Sequence, residues 1–299
     1  MTAMTRAVTG RGRSSLAHGW GGLCWVTWRQ HRTAFLCVAA VIGALATLMM
    51  ASRSKSINPP QSDLLLLVLF VPVLGGVILG APLLAAEAER GTSKVAWTQG
   101  VSRIRWLTAQ YVPAAVVLGL AGGGLGLLVR WYLAPVREAY ESPGSAGFAL
   151  NPLPFAGWMV FGLTLGVFLG CALRLTLPAA ALTAVAYVAT AYLASRLRTS
   201  YLPPLIGPRL PREFRSFRAS RGIERLSSYL GWPDGRPLSP ADELKPAHWL
   251  AAHHIRTWIT YQPASRFGGF EVIEFGWLIV LSLMLAGLVV VLISRRRAA

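Results

Sequence analysis

The sequence predicts an all-α polytopic membrane protein, and its composition carries that prediction. Of its 299 residues, 54% are hydrophobic and only 14% are charged, whereas a soluble domain carries about 25% charged residues. The apolar residues form long uncharged runs that reach the length of about 20 residues needed for a helix to cross a bilayer. The formal net charge of +17 fits basic residues that flank membrane spans and contact anionic lipid, so it does not indicate a nucleic-acid partner.

Residues 1–33 are predicted to form a cytoplasmic tail followed by an interfacial helix. Residues 1–15 are rich in Arg, Gly, Ser and Thr and contain no acidic residue, which is typical of disorder. Between Leu16 and Arg32, tryptophans recur at helical spacing and basic residues gather at the end, a pattern typical of an amphipathic helix at a membrane surface. A solvated tail is the other interpretation. The residues that define the helix are Trp20, Trp25, Trp28, Arg29 and Arg32.

Six apolar runs are long enough to be transmembrane helices. Spans 1 to 5 fall within residues 34–194, and residues 274–299 contain span 6 and a basic cytoplasmic tail. Between them, residues 195–273 are predicted to form a long extracytoplasmic loop or subdomain, with a helix within residues 244–261 and irregular proline-rich stretches. The predicted spans are Ala34–Ala51, Leu64–Ala86, Leu107–Leu133, Phe155–Leu173, Leu177–Ala194 and Phe275–Ile293.

A charged elbow at residues 87–106 joins spans 2 and 3. The chain leaves span 2 through charged residues, breaks at a Gly-Thr-Ser sequence, and reaches span 3 through a second basic cluster. The short central segment Lys94–Gln99 is predicted to be helical, with Trp97 as an apolar anchor. Such an elbow is suited to contact another protein at the membrane surface. Its candidate contact residues are Glu87, Glu89, Arg90, Lys94, Trp97, Gln99, Arg103 and Arg105.

Glycines recur at intervals of four within spans 2 and 4. This spacing gathers them on one face of a helix, where they let the backbone of a neighbouring helix approach closely. Pro72 in span 2 removes a backbone hydrogen bond and is expected to kink that helix. The glycines predicted to serve helix packing are Gly76, Gly80, Gly162, Gly166 and Gly170.

The distribution of basic residues favours a multi-pass protein of the plasma membrane with both termini in the cytoplasm. In that orientation thirteen arginines and lysines lie on the inner side, against four in the short outer loops. The positive-inside rule gives most weight to short loops. The remaining twelve lie in the long loop, and a cytoplasmic long loop would make the inverted topology nearly as favourable.

The sequence contains no recognisable catalytic, cofactor-binding or metal-binding motif. It has neither an HExxH zinc pair nor a GxxxxGK[ST] phosphate-binding loop, and the GGGLG sequence of span 3 lacks the following Lys-Ser/Thr. No predicted span holds a central Asp, Glu, His or Lys, which proton-coupled transporters use. A polytopic membrane protein without an energy source or a coupling carboxylate of its own is expected to take energy from a partner.

Two groups of titratable residues lie within the long loop and at its junction with span 6. His248, His253 and His254 are interpreted as ordinary packed or surface histidines, because their spacing does not give the i, i+4 geometry of a zinc helix. Glu271 and Glu274 precede span 6. They are expected either to pair with Arg266 or to face water at the start of a helix, where a carboxylate is favourable.

Four parts of the chain together resemble actinobacterial ABC-2 type transporter permeases. They are the N-terminal sequence ending in WVTWRQHR, the six spans, the elbow GAPLLAAEAERGTSKVAWTQGVSRIRWL, and the segment Tyr261–Phe267. The elbow is the most specific of these. The long loop is the least specific, because it is short in the minimal permease.

The resemblance implies a half-transporter that exports its cargo. Two membrane subunits pair, as a homodimer or with a second permease subunit, and each rests on a separate ABC ATPase subunit. ATP and Mg²⁺ bind that partner, and no cofactor binds this chain. The resemblance assigns the ATPase contact to the interfacial helix and to about Thr92–Arg105.

Two other classes of function remain open at this point. One is a non-transporting membrane anchor or assembly protein that acts through its extracytoplasmic loop. The other is a membrane enzyme that uses the loop histidines. Coupling to an ATPase predicts that changes in the elbow abolish transport, whereas an anchor would tolerate them and be sensitive to changes in the loop.

Overall fold

The computed structural model describes residues 15–54, 62–89, 103–135, 142–208 and 223–295, which form a helical bundle and a small β-sheet. Six helices in this part of the chain are long and apolar enough to cross a membrane, which confirms the predicted fold class. Spans 1 to 6 are Phe35–Ser52, Asp63–Ala86, Ile104–Tyr132, Pro152–Leu173, Thr176–Ser200 and Ala264–Arg295.

The helices are numbered here in chain order, and a π-helix at Gly75–Gly80 joins α2 to α3 within span 2. A 3₁₀ helix at Ala146–Leu150 precedes span 4. The α-helices are α1 Ser15–Ser54, α2 Ser62–Leu74, α3 Ala81–Glu89, α4 Arg103–Tyr132, α5 Pro152–Leu173, α6 Thr176–Leu197, α7 Pro240–Glu243, α8 Ala247–Ala252 and α9 Phe267–Arg295.

Helix α1 runs without a break for 40 residues, whereas the sequence analysis separates an interfacial helix from span 1 near Arg32. At 1.5 Å per residue, a helix of this length extends about 60 Å, roughly twice the hydrocarbon thickness of a bilayer. A substantial part of α1 therefore extends beyond span 1. The tryptophan-rich segment is helical, as expected, and its place at the membrane surface stays a prediction.

Span 4 lies at the centre of the bundle and contacts spans 2, 3, 5 and 6. Most of its side chains are buried, including Phe155, Met159 and Leu163. Spans 1, 5 and 6 bury only a minority of their residues, as expected for helices that face lipid. Because lipid tails are as apolar as leucine, close van der Waals packing and hydrogen bonds are what hold such helices together.

Span 2 changes its helical form halfway along. The α-helix continues through Pro72 to Leu74 and then becomes a π-helix, in which the N–H of Ala81 donates to the carbonyl of Gly76. The sequence predicts a kink at Pro72 but not this π-helix. Segments of this kind interrupt α-helices mainly at functional positions.

A three-stranded antiparallel sheet forms within residues 195–273, where the sequence analysis expects a long loop or subdomain. Strand β3, Arg256–Pro263, is central, between β1, Leu205–Gly207, and β2, Ile223–Gly231. The expected helix within residues 244–261 is present as α8, Ala247–Ala252. The end of that range enters β3, where the sequence Thr-Trp-Ile-Thr-Tyr is β-branched and aromatic, which favours a strand.

Candidate functional site

The elbow is the leading candidate site, and segment 90–102 at its centre lies outside the described residues. The roles of Arg90, Lys94, Trp97 and Gln99 as contact residues therefore stay predictions. The flanks of the elbow are described. Glu87 and Glu89 lie at the end of α3, whereas Arg103 and Arg105 lie in the first turn of α4. The end of α3 and the start of α4 lie at the same end of the bundle, which is called the elbow side below.

Glu89 caps the first turn of span 5. Its two carboxylate oxygens accept hydrogen bonds from the backbone N–H of Thr176, at 2.7 Å, and from the Thr176 hydroxyl, at 2.8 Å. A carboxylate at a helix N-terminus satisfies an otherwise unpaired N–H and interacts favourably with the helix dipole. The structure thus joins the predicted elbow to the short connection between spans 4 and 5.

The residues predicted to define the interfacial helix all lie in α1. Arg32 is exposed, three residues before span 1 begins at Phe35. The remaining members precede it in the same helix: Trp20, Trp25, Trp28 and Arg29.

The structure brings all five predicted packing glycines into one interface between spans 2 and 4. A Cβ atom added at Gly166 would overlap the carbonyl oxygen of Gly76, and one added at Gly170 would overlap the carbonyl of Ala81. A Cβ at Gly80 would lie 2.5 Å from the carbonyl oxygen of Leu163. Gly162 packs in the same way against Pro72.

This glycine interface coincides with the π-helix of span 2. Gly76 and Gly80 belong to the π-helix, and both are buried. Its carbonyl groups therefore lie directly against the backbone of span 4, where no side chain separates the two helices. The two irregular features of span 2, its helical form and its glycines, together allow this approach.

A buried ion pair joins spans 5 and 6 at the end of the bundle where the sheet lies, called the subdomain side below. The guanidinium of Arg198 donates to the Glu274 carboxylate from Nε, at 2.6 Å, and from Nη2, at 2.9 Å. Trp158 of span 4 adds a third hydrogen bond, from Nε1 to Oε1 of Glu274 at 2.9 Å. One carboxylate thus ties three spans together.

The ion pair also contacts the segment that precedes span 4. The guanidinium of Arg198 lies over the ring of Phe148, 4.7 Å from its centroid, which adds a cation–π interaction. Its Nη1 reaches the carbonyl oxygen of Pro143 at 3.5 Å. The predicted loop between spans 3 and 4 is therefore partly packed into the bundle.

Sequence reasoning missed this pair. The predicted alternatives for Glu274, pairing with Arg266 or facing water, are both wrong, because Glu274 is fully buried and paired with Arg198. Arg266 instead donates to the carbonyl of Pro203 at 2.9 Å. Glu271 is half-buried in the same helix.

The error has a simple source. Span 6 is predicted to begin at Phe275, whereas the helix begins at Phe267 and the apolar span at Ala264. Glu274 is therefore inside the last helix and not in front of it. Arg198 follows the fifth predicted apolar run and Glu274 precedes the sixth. These opposite charges are the feature of the sequence that points to the pair.

Aromatic side chains surround the ion pair. The indole of Trp158 makes edge-to-face contacts with Tyr187 and Trp277, at centroid distances of 5.3 and 5.6 Å. Nε1 of Trp277 donates to the hydroxyl of Tyr201 at 3.1 Å. Partial burial raises the pKa of the Tyr201 hydroxyl above its usual value, and the negative charge of Glu274 adds to that shift.

The bundle interior on the elbow side of this cluster contains a second polar contact. The hydroxyl of Tyr111 in span 3 lies 2.7 Å from the hydroxyl of Thr164 in span 4, which in turn donates to the carbonyl oxygen of Val160. Gln110 is also buried, and its Oε1 has no hydrogen-bond partner among the described residues.

The loop histidines lie in an aromatic cluster of the sheet subdomain. His253 stacks on Trp249 at 4.0 Å between ring centroids, and its Nδ1 lies 2.9 Å from the Trp249 carbonyl oxygen. Trp232 contacts both rings edge-on. In the described part of the chain, no three histidine, cysteine or carboxylate side chains are grouped as a metal site.

The comparison with protein families gives one match. The family described as ABC-2 membrane transporter related matches residues 30–198, which extend from α1 to the end of span 5 and include the elbow. Neither a curated protein nor a solved structure matches the chain. The sheet and span 6 lie outside the family match.

Proposed function

The chain belongs to the ABC-2 membrane transporter-related family, and we propose that it is the permease subunit of an ATP-driven exporter in the plasma membrane. ATP hydrolysis takes place on a separate ABC ATPase subunit, which binds ATP and Mg²⁺. The family match over spans 1 to 5 and the elbow is the observation that carries this proposal. The permease itself contributes the passage for the cargo and no catalytic group.

The ATPase contacts the elbow, according to this proposal. Glu89 supports this assignment, because it ends α3 and caps span 5. A displacement of the elbow by the ATPase would therefore act on spans 2 and 5 together. Trp97 supplies the apolar anchor and the basic residues Arg103 and Arg105 its charged rim. Aromatic anchors commonly contribute about 2 kcal/mol or more to a protein interface.

Two permease subunits are needed for a complete passage, either two copies of this chain or this chain with a second permease subunit. The elbow side faces the cytoplasm, with both termini, and the sheet subdomain faces outward. The excess of basic residues in the short connections on the elbow side supports this orientation.

The test is affinity purification of the tagged full chain from its native membrane in mild detergent, followed by mass spectrometry. We expect a protein with Walker motifs to co-purify. Trp97→Ala should lower its recovery, because a loss of about 2 kcal/mol weakens binding about 30-fold. Trp131→Ala, at the other end of span 3, is the control and should leave recovery unchanged.

Recovery of the chain without an ATPase, where a known ABC complex survives the same detergent, would contradict the proposal. Equal recovery with Trp97→Ala and with the unaltered chain would contradict the assignment of the contact to the elbow.

A second candidate function is a non-transporting anchor or assembly protein. The observation in its favour is that the folded sheet subdomain lies outside residues 30–198, which the family matches. An anchor would tolerate substitutions in the elbow and lose its activity on deletion of the sheet. The same purification distinguishes the two, since an anchor would bring down no ATPase.

A further inference from the structure

Span 5 is held at its elbow-side end by Glu89, the last residue of α3, three residues beyond span 2. Leu175 precedes the helix and offers no side-chain cap, and the connection to span 4 is a tight turn in which Arg174 has a φ of +57°. Glu89 therefore supplies the cap from another part of the chain. Because Glu89 is the last residue of α3, a displacement at the elbow acts directly on the start of span 5.

The other end of span 5 is held by the buried ion pair. After Leu197 the helix tightens into a 3₁₀ turn, Arg198–Ser200. Arg198 is only 3% exposed, and its guanidinium is fixed by Glu274 of span 6. Trp158 of span 4 binds the same carboxylate. This end of span 5 cannot move without moving that carboxylate.

The sheet subdomain is attached immediately beyond this end. The carbonyl of Leu202 accepts a hydrogen bond from Nε2 of Gln262, at 2.8 Å, and the carbonyl of Pro203 accepts one from Arg266. Strand β1 begins at Leu205. The chain therefore passes from span 5 into the sheet through residues that are already bonded to β3 and to the start of span 6.

Between its two held ends, span 5 is one unbroken α-helix, Thr176–Leu197. It contains no glycine, and its one proline, Pro178, lies in the first turn, where proline is tolerated. Span 2, by contrast, contains Pro72 and a π-helix. The buried side chains of α6 form a narrow stripe: Ala179, Thr183, Tyr187 and Ala194.

We propose that span 5 is a rigid connecting rod between the elbow and the sheet subdomain, and that Glu89 is the positioning residue at its elbow-side end. An uninterrupted helix held along a narrow stripe and bonded at both ends transmits a tilt or shift from one end to the other. A span with an internal break would absorb it. Only the direction of the movement, from elbow to subdomain, rests on the proposed function.

The test is hydrogen–deuterium exchange of the purified full chain in lipid nanodiscs, without any ATPase. Thr176→Val removes the hydroxyl that donates to Glu89, and Glu89→Gln removes the charge. We expect both to speed amide exchange at residues 176–180 and also at residues 198–207. The expected factor is about fivefold, the scale of one helix cap.

Thr190→Val is the matched control. It lies in the same helix, and among the described residues its hydroxyl bonds to the carbonyl of Ala186 alone, one turn away. It should change exchange at neither end. Thr176→Ser keeps both donors and should restore the unaltered exchange rates, which a general loss of packing would not allow.

The reverse experiment uses the reciprocity of coupling between two sites. Glu274→Gln changes no residue on the elbow side, and we expect it to speed exchange at residues 176–180 and at its own end more than in span 3, where a general loss of stability would speed exchange equally. If the substitutions at each end of span 5 speed exchange only at the end that they alter, the connecting-rod proposal is wrong. That result would leave the proposed function intact, because co-purification of an ATPase tests that function separately.

Discussion

Arg198 and Glu274 form a two-pronged ion pair that is almost completely removed from solvent, with 4% of the arginine side chain and none of the glutamate exposed. The two residues are 76 positions apart and belong to spans 5 and 6. A buried pair of this kind is costly to desolvate, so its net contribution to stability is small. What it supplies is a defined arrangement of three spans, because the same carboxylate accepts the Trp158 indole N–H.

Glu274→Gln should destabilise the protein strongly, because it leaves the Arg198 charge buried without its counter-ion. Removal of one partner of a buried pair typically costs about 3–5 kcal/mol. The measurement is the temperature at which the detergent-solubilised protein loses its monodisperse peak in size-exclusion chromatography. We expect a clear fall in that temperature for Glu274→Gln.

The matched control for this substitution is Asp234→Asn. Asp234 and Arg236 also form an ion pair, at 3.3 Å, but both side chains are more than half exposed. Exposed pairs contribute about 0–1 kcal/mol, so Asp234→Asn should leave the temperature nearly unchanged. Equal small effects of the two substitutions would show that the Arg198–Glu274 pair is hydrated in the protein.

Gly166→Ala should weaken the packing of span 4 against span 2. The new methyl group would overlap the carbonyl oxygen of Gly76, and overpacking of a close interface costs about 1–3 kcal/mol. Gly166→Leu should be more severe and abolish the folded product. The measurement is the yield of monodisperse protein from membranes, with thermal stability as the second readout.

Gly124→Ala provides the comparison for the glycine interface. Gly124 lies in span 3, and a Cβ added there would meet no atom within 4 Å. It should therefore be tolerated, and alanine's higher helix propensity favours it. A normal yield of Gly166→Ala, equal to that of Gly124→Ala, would mean that spans 2 and 4 are not in contact at this position.

The fold class and the number of spans could be predicted because uncharged runs of membrane length are a strong signal in any sequence. The Gly-xxx-Gly intervals of spans 2 and 4 are similarly readable, since they place glycines on one helical face. The ion pair of Arg198 and Glu274 could not be read in the same way. Each charge lies at the end of an apolar run, where sequence alone does not separate a solvated flank from a buried partner.

The sheet could not be predicted from the sequence either, for a different reason. Strand β3 ends at Pro263, directly before span 6, whose first residues form a 3₁₀ turn, Ala264–Arg266. Its partners β1 and β2 are distant from it in sequence, so no hairpin signal connects them. The π-helix at Gly75–Gly80 depends on the approach of span 4, a tertiary contact that local propensity does not contain.

Thr164→Val should have only a small effect, although it removes a buried polar contact between spans 3 and 4. The Thr164 hydroxyl is 2.7 Å from that of Tyr111. Hydrogen bonds between membrane helices average about 0.6 kcal/mol, and the largest reach about 1.7 kcal/mol, because polar groups find other partners in the unfolded state within the membrane.

The comparison is made by unfolding the protein in mixed micelles with increasing denaturing detergent. Thr47→Val is the control, since its hydroxyl bonds only to the carbonyl of Gly43 within span 1 and is exposed. Thr164→Val should lower the midpoint slightly more than Thr47→Val. Tyr111→Phe should lower it by no more than Thr164→Val, since Thr164→Val also removes the bond to the Val160 carbonyl oxygen. A much larger effect of Tyr111→Phe than of Thr164→Val would show that the tyrosine hydroxyl has another partner, such as cargo or water inside the bundle.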